Sequence, residues 1–317
     1  MKPITPSEAA LLLYPPKSDK ERAPAFKSAL QLCTQPSDAL RIRCLIKGRY
    51  LSDTRASKLA LELYDSAGVV AGLRPRQVRD GGWRGTLRMV PELPTGRRRK
   101  HLRMVTRTFQ DYRRFFTWLD KSAPKARRYR FTHISFKFYQ TLGKRTPSAS
   151  AWDWNIAYNL NGSLLHHEAG VRETLYHELF HLNDAAHGRW SGHKLQGIYD
   201  SVLKRCKKHM RKGNRQGAKY QRCLRPYAPY KTTVLSDNVF YAFHRESDVG
   251  EYAAELAVRY YLENRAVMLK LSARARKKAL GYSAPGSFKC GPKENTTAWK
   301  LMADEFFGGA DKTAPCP

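Results

Sequence analysis

The stretch His177-Glu178-Leu179-Phe180-His181 decides how this chain is interpreted. It lies in a proline-free run from about Ala169 to Ala186, whose apolar residues recur at helical spacing at Val171, Leu175, Leu179 and Leu182. The pattern predicts an α-helix, and because residues four apart share one helix face, His177 and His181 can bind one metal ion. Glu178 then lies beside the ion, where its carboxylate can take a proton from metal-bound water.

A catalytic metal site also needs a third protein ligand and an open coordination position. His187 follows His181 at the spacing of the metzincin pattern HExxHxxGxxH, but Asp184 stands where that pattern has a glycine for a sharp turn. His193 is another candidate, since SprT-like peptidases carry a His-Gly segment after HExxH. In this chain the order is Gly192-His193, and no CxxC pair follows. Both histidines remain alternatives to a third candidate.

That third candidate is Glu251, at the start of an alanine-rich run in which Glu255 follows one helical turn later. The residues around the two glutamates are almost all apolar, namely Tyr252, Ala253, Ala254, Leu256, Ala257 and Val258. Carboxylates in such an apolar helix need partners, and a cation held by two histidines supplies one. We therefore predict Glu251 as the third ligand, with Glu255 accepting the free ring N–H of a ligand histidine.

These motifs resemble the gluzincin peptidases, in which a glutamate on a second helix completes an HExxH zinc site. The nearest local likeness is to the anthrax lethal-factor-like group, and it covers only short stretches around HExxH and around Glu251. The resemblance implies one catalytic Zn²⁺ with His177, His181 and Glu251 as ligands, and Glu178 as the general base.

The lethal-factor-like peptidases also carry a tyrosine shortly before their ligand glutamate, as a hydrogen-bond donor to the oxyanion of the transition state. In this chain the segment Val239–Arg245 precedes Glu251, at a longer spacing than in that group. The resemblance implies Tyr241 as the first choice for this role and His244 as the second.

The expected fold class is α+β. The resemblance implies a zincin-like catalytic domain with a small mixed sheet, the HExxH helix and a second helix that carries the glutamate ligand. We predict a mostly helical N-terminal region over residues 1–80 and the zincin-like metallopeptidase domain over 81–317. Periodicity predicts strands at Trp83–Val90, Arg130–Tyr139 and Ala151–Leu160, and a helix at Leu102–Leu119. By the resemblance, Trp152–Tyr158 is the edge strand that pairs with a substrate backbone.

The six cysteines fall into pairs of near neighbours, Cys33 with Cys44, Cys206 with Cys223, and Cys290 with Cys316. None lies near HExxH and no CxxC occurs, so the arrangement favours three disulfides over a zinc ribbon, although sequence alone permits other pairings. No apolar run is long enough to span a membrane, and Ala9–Leu13 is too short for a signal-peptide core. We expect an exported bacterial protein, secreted or periplasmic, in its mature form; the alternative is a cytoplasmic enzyme with unpaired thiols.

The formal net charge is +31, and the basic residues are concentrated in residues 97–130, 204–222 and 274–278. Such clusters attract polyanions, which include cell-wall polymer, anionic lipid and nucleic acid. The alternative is a solubilising surface without a partner. No helix-turn-helix, zinc-finger or RNP motif organises the charges, so nucleic acid is a candidate partner and is not the predicted substrate.

From these features we predict a monomeric zinc endopeptidase that hydrolyses peptide bonds in a protein or peptide substrate. An alternative within the enzymes is a SprT-like peptidase that acts on DNA-bound protein, with His193 in place of Glu251. An alternative from another class is a polyanion-binding protein with an inactive zincin fold.

Overall fold

The computed structural model describes residues 3–16, 25–81, 85–210, 213–234, 236–280 and 287–317, and it has the predicted α+β class. Its contacts divide the chain into two compact units. The first comprises Met1–Arg113 with Phe131–Glu178, and the second comprises Arg114–Arg130 with Leu179–Pro317. The division is not the one between 1–80 and 81–317, which stays a prediction about domains.

Four helices open the first unit: α1 (Pro6–Leu13), α2 (Ala25–Leu32), α3 (Asp38–Arg49) and α4 (Thr54–Ala67). Their starts are set by capping residues. Thr5 and Glu8 form a capping box at α1, and Asp53 accepts a hydrogen bond from the N–H of Ala56 at α4. Helix α4 ends at Gly68, whose φ of 63° lies in the left-handed region that glycine adopts without strain. The predicted helical character of this region is thus present.

The first unit also holds a mixed sheet of six strands: β1 (Val70–Leu73), β2 (Gln77–Asp80), β3 (Thr86–Pro91), β4 (Ser135–Thr141), β5 (Ala149–Trp152) and β6 (Asn155–Asn159). β4 is central, with β6 parallel on one side and, on the other, β1 parallel and β3 antiparallel at different heights. β5 pairs antiparallel with β6 and ends the sheet within the described part of the chain.

Helix α1 packs against β1 at an unusually short distance, and Gly72 allows it. A Cβ atom at Gly72 would lie 2.3 Å from the backbone oxygen of Leu12, closer than real Cβ atoms come to backbone. The absence of a side chain at Gly72 therefore fixes how the N-terminal helices meet the sheet.

Strands β1 and β2 lie within residues 1–80, together with the four helices of that region. Two sequence predictions need correction at the sheet. The segment predicted as one strand from Ala151 to Leu160 is a hairpin that turns at Asp153 and Trp154, whose φ angles are 42° and 59°. Of the predicted edge strand, only Trp152 lies on edge strand β5; the rest lies in the turn and on β6, which has neighbours on both sides.

The predicted strand Trp83–Val90 is β3, although Trp83 lies outside the described residues. The predicted helix Leu102–Leu119 is part of α5 (Arg99–Asp120), which passes from the first unit into the second. The HExxH helix is α6 (Glu168–Ala186), and the division between the units falls inside it, after Glu178.

In its described residues, the second unit contains the following helices and one small hairpin: α7 (Trp190–Lys194), α8 (Gln196–Cys206), α9 (Ala218–Leu224), β7 (Thr233–Val234), β8 (Val239–Phe240), α10 (Val249–Met268), α11 (Ala273–Leu280) and α12 (Lys293–Phe306). α10 is buried along most of its length. Aromatic rings surround it: Tyr260 stacks on Phe307 with ring centroids 4.2 Å apart, and Phe115 meets Tyr261 edge to face.

Three disulfides join Cys33 to Cys44, Cys206 to Cys223, and Cys290 to Cys316. The predicted pairing of near neighbours is therefore confirmed. Within the described residues, no helix has the length and apolar character needed to cross a bilayer.

Candidate metal centre

Helix α6 presents the HExxH residues at a boundary between buried and exposed surface. Leu175, Tyr176, Leu179 and Phe180 are fully buried and anchor the helix. The three polar residues of the motif, His177, Glu178 and His181, are only half-buried. The apolar stripe therefore fixes the helix, and the histidine face stays accessible to a small ligand.

Helix α10 brings Glu251 to this face. The helix starts where Asp248 accepts hydrogen bonds from the N–H groups of Gly250 and Glu251, so that Glu251 lies in its first turn. Oε2 of Glu251 lies 3.5 Å from Nε2 of His181. His177 is one turn earlier on the same helix as His181, and one ligand atom from each of the three residues falls within 4.8 Å of the others. These three ligand atoms are close enough together to hold one metal ion.

Glu255 lies one turn further along α10 and is 2 % exposed. Burial raises its pKa well above the ordinary range, and the neighbouring charge of Glu251 raises it further. Hydrogen bonds from the Thr232 hydroxyl and the Ala242 N–H oppose this shift. Oε2 of Glu255 has no hydrogen-bond partner among the described residues. Glu255 is thus a buried carboxyl close behind the three-residue group, and its predicted hydrogen bond to a ligand histidine stays a prediction.

The two alternative third ligands lie elsewhere. Nδ1 of His187 is 2.7 Å from the backbone oxygen of Asn183, and its ring packs edge to face on Phe306. His193 is exposed on the short helix α7. Neither belongs to a metal-binding group in the described part of the chain.

Asp184 has a structural role that accounts for the missing glycine of the metzincin pattern. Its two carboxylate oxygens accept hydrogen bonds from the N–H and the hydroxyl of Ser191, each at 2.7 Å. These bonds hold the start of α7 after a turn in which Gly188 and Arg189 both have positive φ. The sharp turn therefore comes a few residues later than in the metzincin pattern.

Tyr241 and His244 lie on the segment that runs to α10. Tyr241 is half-buried at the start of a 3-10 turn, and the next residue, Ala242, donates its N–H to Glu255. His244 is 6 % exposed, with Nε2 2.6 Å from Asp237 and Nδ1 accepting from the N–H of Glu246. Both ring nitrogens of His244 are therefore engaged within their own loop, and the oxyanion role of either residue stays a prediction.

Sequence reasoning did not identify Tyr139, a residue of β4 that is fully buried. Burial raises the pKa of Tyr139 to about 12, and the charge of Glu178 adds to this rise. Its hydroxyl has no hydrogen-bond partner among the described residues. Nothing in the local sequence distinguishes this tyrosine from the other 16 of the chain's 17, because its neighbourhood comes from other strands and from α6.

No family model, no characterised protein and no solved structure matches this chain. The residues of the site and their geometry are thus the basis for assigning a function.

Proposed function

We propose that the protein is a zinc-dependent endopeptidase of the gluzincin type. The observation that carries the proposal is the three-residue group: His177, His181 and Glu251 offer ligand atoms within 4.8 Å of one another, and Glu178 is adjacent to one of them on the same helix. Two imidazoles, a carboxylate and an adjacent second carboxylate form the residue set that metal-assisted peptide hydrolysis needs.

The donor set fits zinc better than harder cations. Imidazole nitrogen is a preferred ligand of Zn²⁺, whereas Mg²⁺ and Ca²⁺ prefer sites made of oxygen atoms. The half-buried position of the three residues leaves room for a further ligand, as catalytic zinc sites require. The unpartnered Oε2 of Glu255, buried behind Glu251, is consistent with a cation near these carboxylates. When bound, zinc would act as a Lewis acid that polarises a carbonyl and acidifies water.

Glu178 moves the proton in this proposal. Its carboxylate accepts a proton from the attacking water as the water oxygen bonds to the peptide carbonyl carbon. The same carboxyl then gives the proton to the departing amine nitrogen, so that the C–N bond breaks and Glu178 returns to its ionised form. Tyr241 is the proposed donor to the oxyanion of the tetrahedral intermediate, with His244 as the alternative.

The edge of the sheet offers a way to hold the substrate. β5 ends the described sheet, and its four residues are half-buried. An extended peptide can pair with the outer edge of β5 through backbone hydrogen bonds. Such bonds form with peptides of many different sequences, because they do not involve the side chains. This mode suits an endopeptidase because it positions the backbone and leaves side chains to separate pockets.

We also propose that the protein works outside the cytoplasm. The support is its three disulfides, which persist in oxidising compartments.

Glu178→Gln tests the catalytic proposal directly. The variant keeps the three ligands, so zinc content should stay at one ion per chain, whereas casein cleavage should fall about 10²- to 10⁴-fold because the proton carrier is lost. Zinc measured by atomic absorption and turnover measured on the same sample separate the two effects. Near-normal turnover in this variant would refute the proposed mechanism.

A further inference from the structure

Two cations lie against one indole ring at the end of β5, and a third is nearby. The guanidinium carbon of Arg74 lies 5.1 Å from the ring centroid of Trp152, and Nζ of Lys137 lies 5.2 Å from it. Arg79, on β2, acts electrostatically on Arg74. Trp152, Arg74 and Arg79 line a shallow, open surface cavity of about 560 Å³ together with Gln77 and Val78.

These cations have no carboxylate partner within the described residues. Arg74 is 6 % exposed, and its Nε and Nη2 both donate to Oε1 of Gln77, a neutral acceptor, at 3.2 and 3.1 Å. Burying a guanidinium without a counter-charge is costly, and bringing two further cations close to it adds to the cost.

The pKa values of Arg74 and Lys137 are both lowered, as expected for cations without a counter-charge. Burial lowers the pKa of Arg74, and the charge of Arg79 lowers it further while Tyr139 partly opposes the shift. Burial lowers the pKa of Lys137, and the charge of Arg74 adds to that effect. An anion in the cavity would stabilise the charged forms of Arg74 and Lys137 and so oppose the lowering of both pKa values.

Tyr139 lies beside Arg74, and the charge of the proposed catalytic base, Glu178, raises the pKa of this tyrosine. The guanidinium of Arg74 lies 5.4 Å from the ring centroid of Tyr139, and the charges of Arg74 and Glu178 act on this phenol in opposite directions. Trp152 is also the last residue of edge strand β5, so a peptide paired with that strand would pass the cavity.

We propose that this cavity is a specificity pocket that binds a carboxylate of the peptide substrate, with Arg74 and Arg79 as its recognising groups. The proposal rests on the peptidase function proposed above and names its substrate class, acidic peptides. Gln77 fixes the orientation of the Arg74 guanidinium, which can then offer the N–H pair that matches a carboxylate. The carboxylate can come from an aspartate or glutamate side chain or from the C-terminus of the peptide.

The test compares matched peptides on the zinc-loaded full-length protein. Cleavage sites are first mapped by mass spectrometry on a mixture of peptides, where acidic residues should be enriched at one position relative to the cleaved bond. A peptide with glutamate at that position is then compared with its glutamine counterpart, both with amidated C-termini. We expect a preference of about 10- to 100-fold in kcat/KM, the range for hydrogen bonds to a charged group.

Arg74→Gln and Arg79→Gln should reduce the ratio of kcat/KM between the glutamate and the glutamine peptide to near unity. Arg88→Gln is the matched control, because Arg88 is an exposed arginine on the neighbouring strand β3 and does not line the cavity. If Arg74→Gln fails to fold, Arg79→Gln carries the test, since Arg79 is exposed. A glutamine peptide with a free C-terminus shows whether a terminal carboxylate serves as well. Equal cleavage of all the peptides by the wild type would refute the proposed pocket. A preference for the glutamate peptide that survives both substitutions would refute it as well.

A separate binding measurement distinguishes this failure from failure of the peptidase proposal. Isothermal titration of the zinc-loaded Glu178→Gln variant with N-acetylglutamate amide and with N-acetylglutamine amide does not depend on turnover. Preferential binding of the first compound, lost on adding Arg79→Gln, would support the pocket even if no peptide is cleaved. Indistinguishable binding of the two compounds would contradict it whatever the activity.

Discussion

Nε2 of His181 lies 3.5 Å from Oε2 of Glu251. This is the outer limit for a hydrogen bond, but it matches the geometry of two ligands on one ion. An ion bound tetrahedrally by atoms about 2.1 Å away holds each pair of ligand atoms about 3.4 Å apart. The separation of these two side chains is therefore close to the one that a zinc ion would impose.

The first prediction follows from this separation. Glu251→Ala should lose most of the bound zinc, because it removes one of the three proposed ligands. Glu255→Ala should weaken binding about 10- to 100-fold, the usual effect of removing a residue that supports a ligand. His187→Ala and His193→Ala should keep full zinc content, since neither residue belongs to the metal-binding group of the described chain.

Zinc content of the four purified variants is measured after dialysis against a weak chelator, with circular dichroism as the control for folding. Glu251→Gln is a further control that keeps the side-chain volume. A zinc-free His193→Ala beside a fully loaded Glu251→Ala would instead favour the SprT-like alternative.

A second prediction concerns Asp184, whose carboxylate binds Ser191 through two hydrogen bonds of 2.7 Å. Asp184→Ala would leave two buried donors without a partner, so the free energy of unfolding should fall by about 1–3 kcal/mol. Zinc content should not change. Ser191→Ala removes only the hydroxyl bond and should cost less. Urea unfolding with zinc measured in parallel checks this, and zinc loss without loss of stability would assign Asp184 to the metal site.

Local pattern explains why some parts of this structure can be predicted from sequence. The helix expected from Ala169 to Ala186 is α6, because its apolar stripe and its lack of proline are local properties. The hairpin turn at Asp153 and Trp154 could not be predicted in this way. Both residues adopt positive φ, which tryptophan rarely does, and the alternation of the segment continues through the turn.

The candidate site shows the same contrast. His177 and His181 are linked by helical spacing, and Glu251 could be proposed because a charged residue in an apolar helix needs a partner. No comparable pattern in the sequence indicates the cavity around Trp152. Arg74 follows β1 and Lys137 is on β4, and only the pairing of distant strands brings them to the ring of Trp152.

The third prediction is that the native protein has no titratable thiol before reduction, because all six cysteines are paired. Replacing Cys206 and Cys223 together by serine removes a link across a sequence separation of 17 residues. We expect a loss of about 2–4 kcal/mol in the free energy of unfolding, mainly because the unfolded chain regains freedom. Thiol titration in denaturant with and without reductant measures the pairing, and six reactive thiols without reductant would contradict it.

The last prediction is a pH dependence of stability that arises at His101. Nδ1 of this buried residue on α5 lies 3.0 Å from the Tyr158 hydroxyl. Burial lowers the pKa of His101 to about 4, and the positive charges of Lys100, Arg98 and His166 lower it further. An unfolded chain has a histidine pKa of about 6.5, so between these two values the unfolded state binds more protons than the folded state.

Stability should therefore be fully retained above pH 6.5 and fall as the pH decreases towards 4. The His101 contribution to this loss amounts to at most about 3 kcal/mol. His101→Gln keeps a group that can bond to Tyr158 and cannot take up the proton, so its stability should depend less on pH in this window. Urea unfolding of both proteins at several pH values, with a chelator in every sample to exclude metal loss, gives the difference. Parallel curves for the two proteins between pH 6.5 and 4 would show that His101 is not the responsible group.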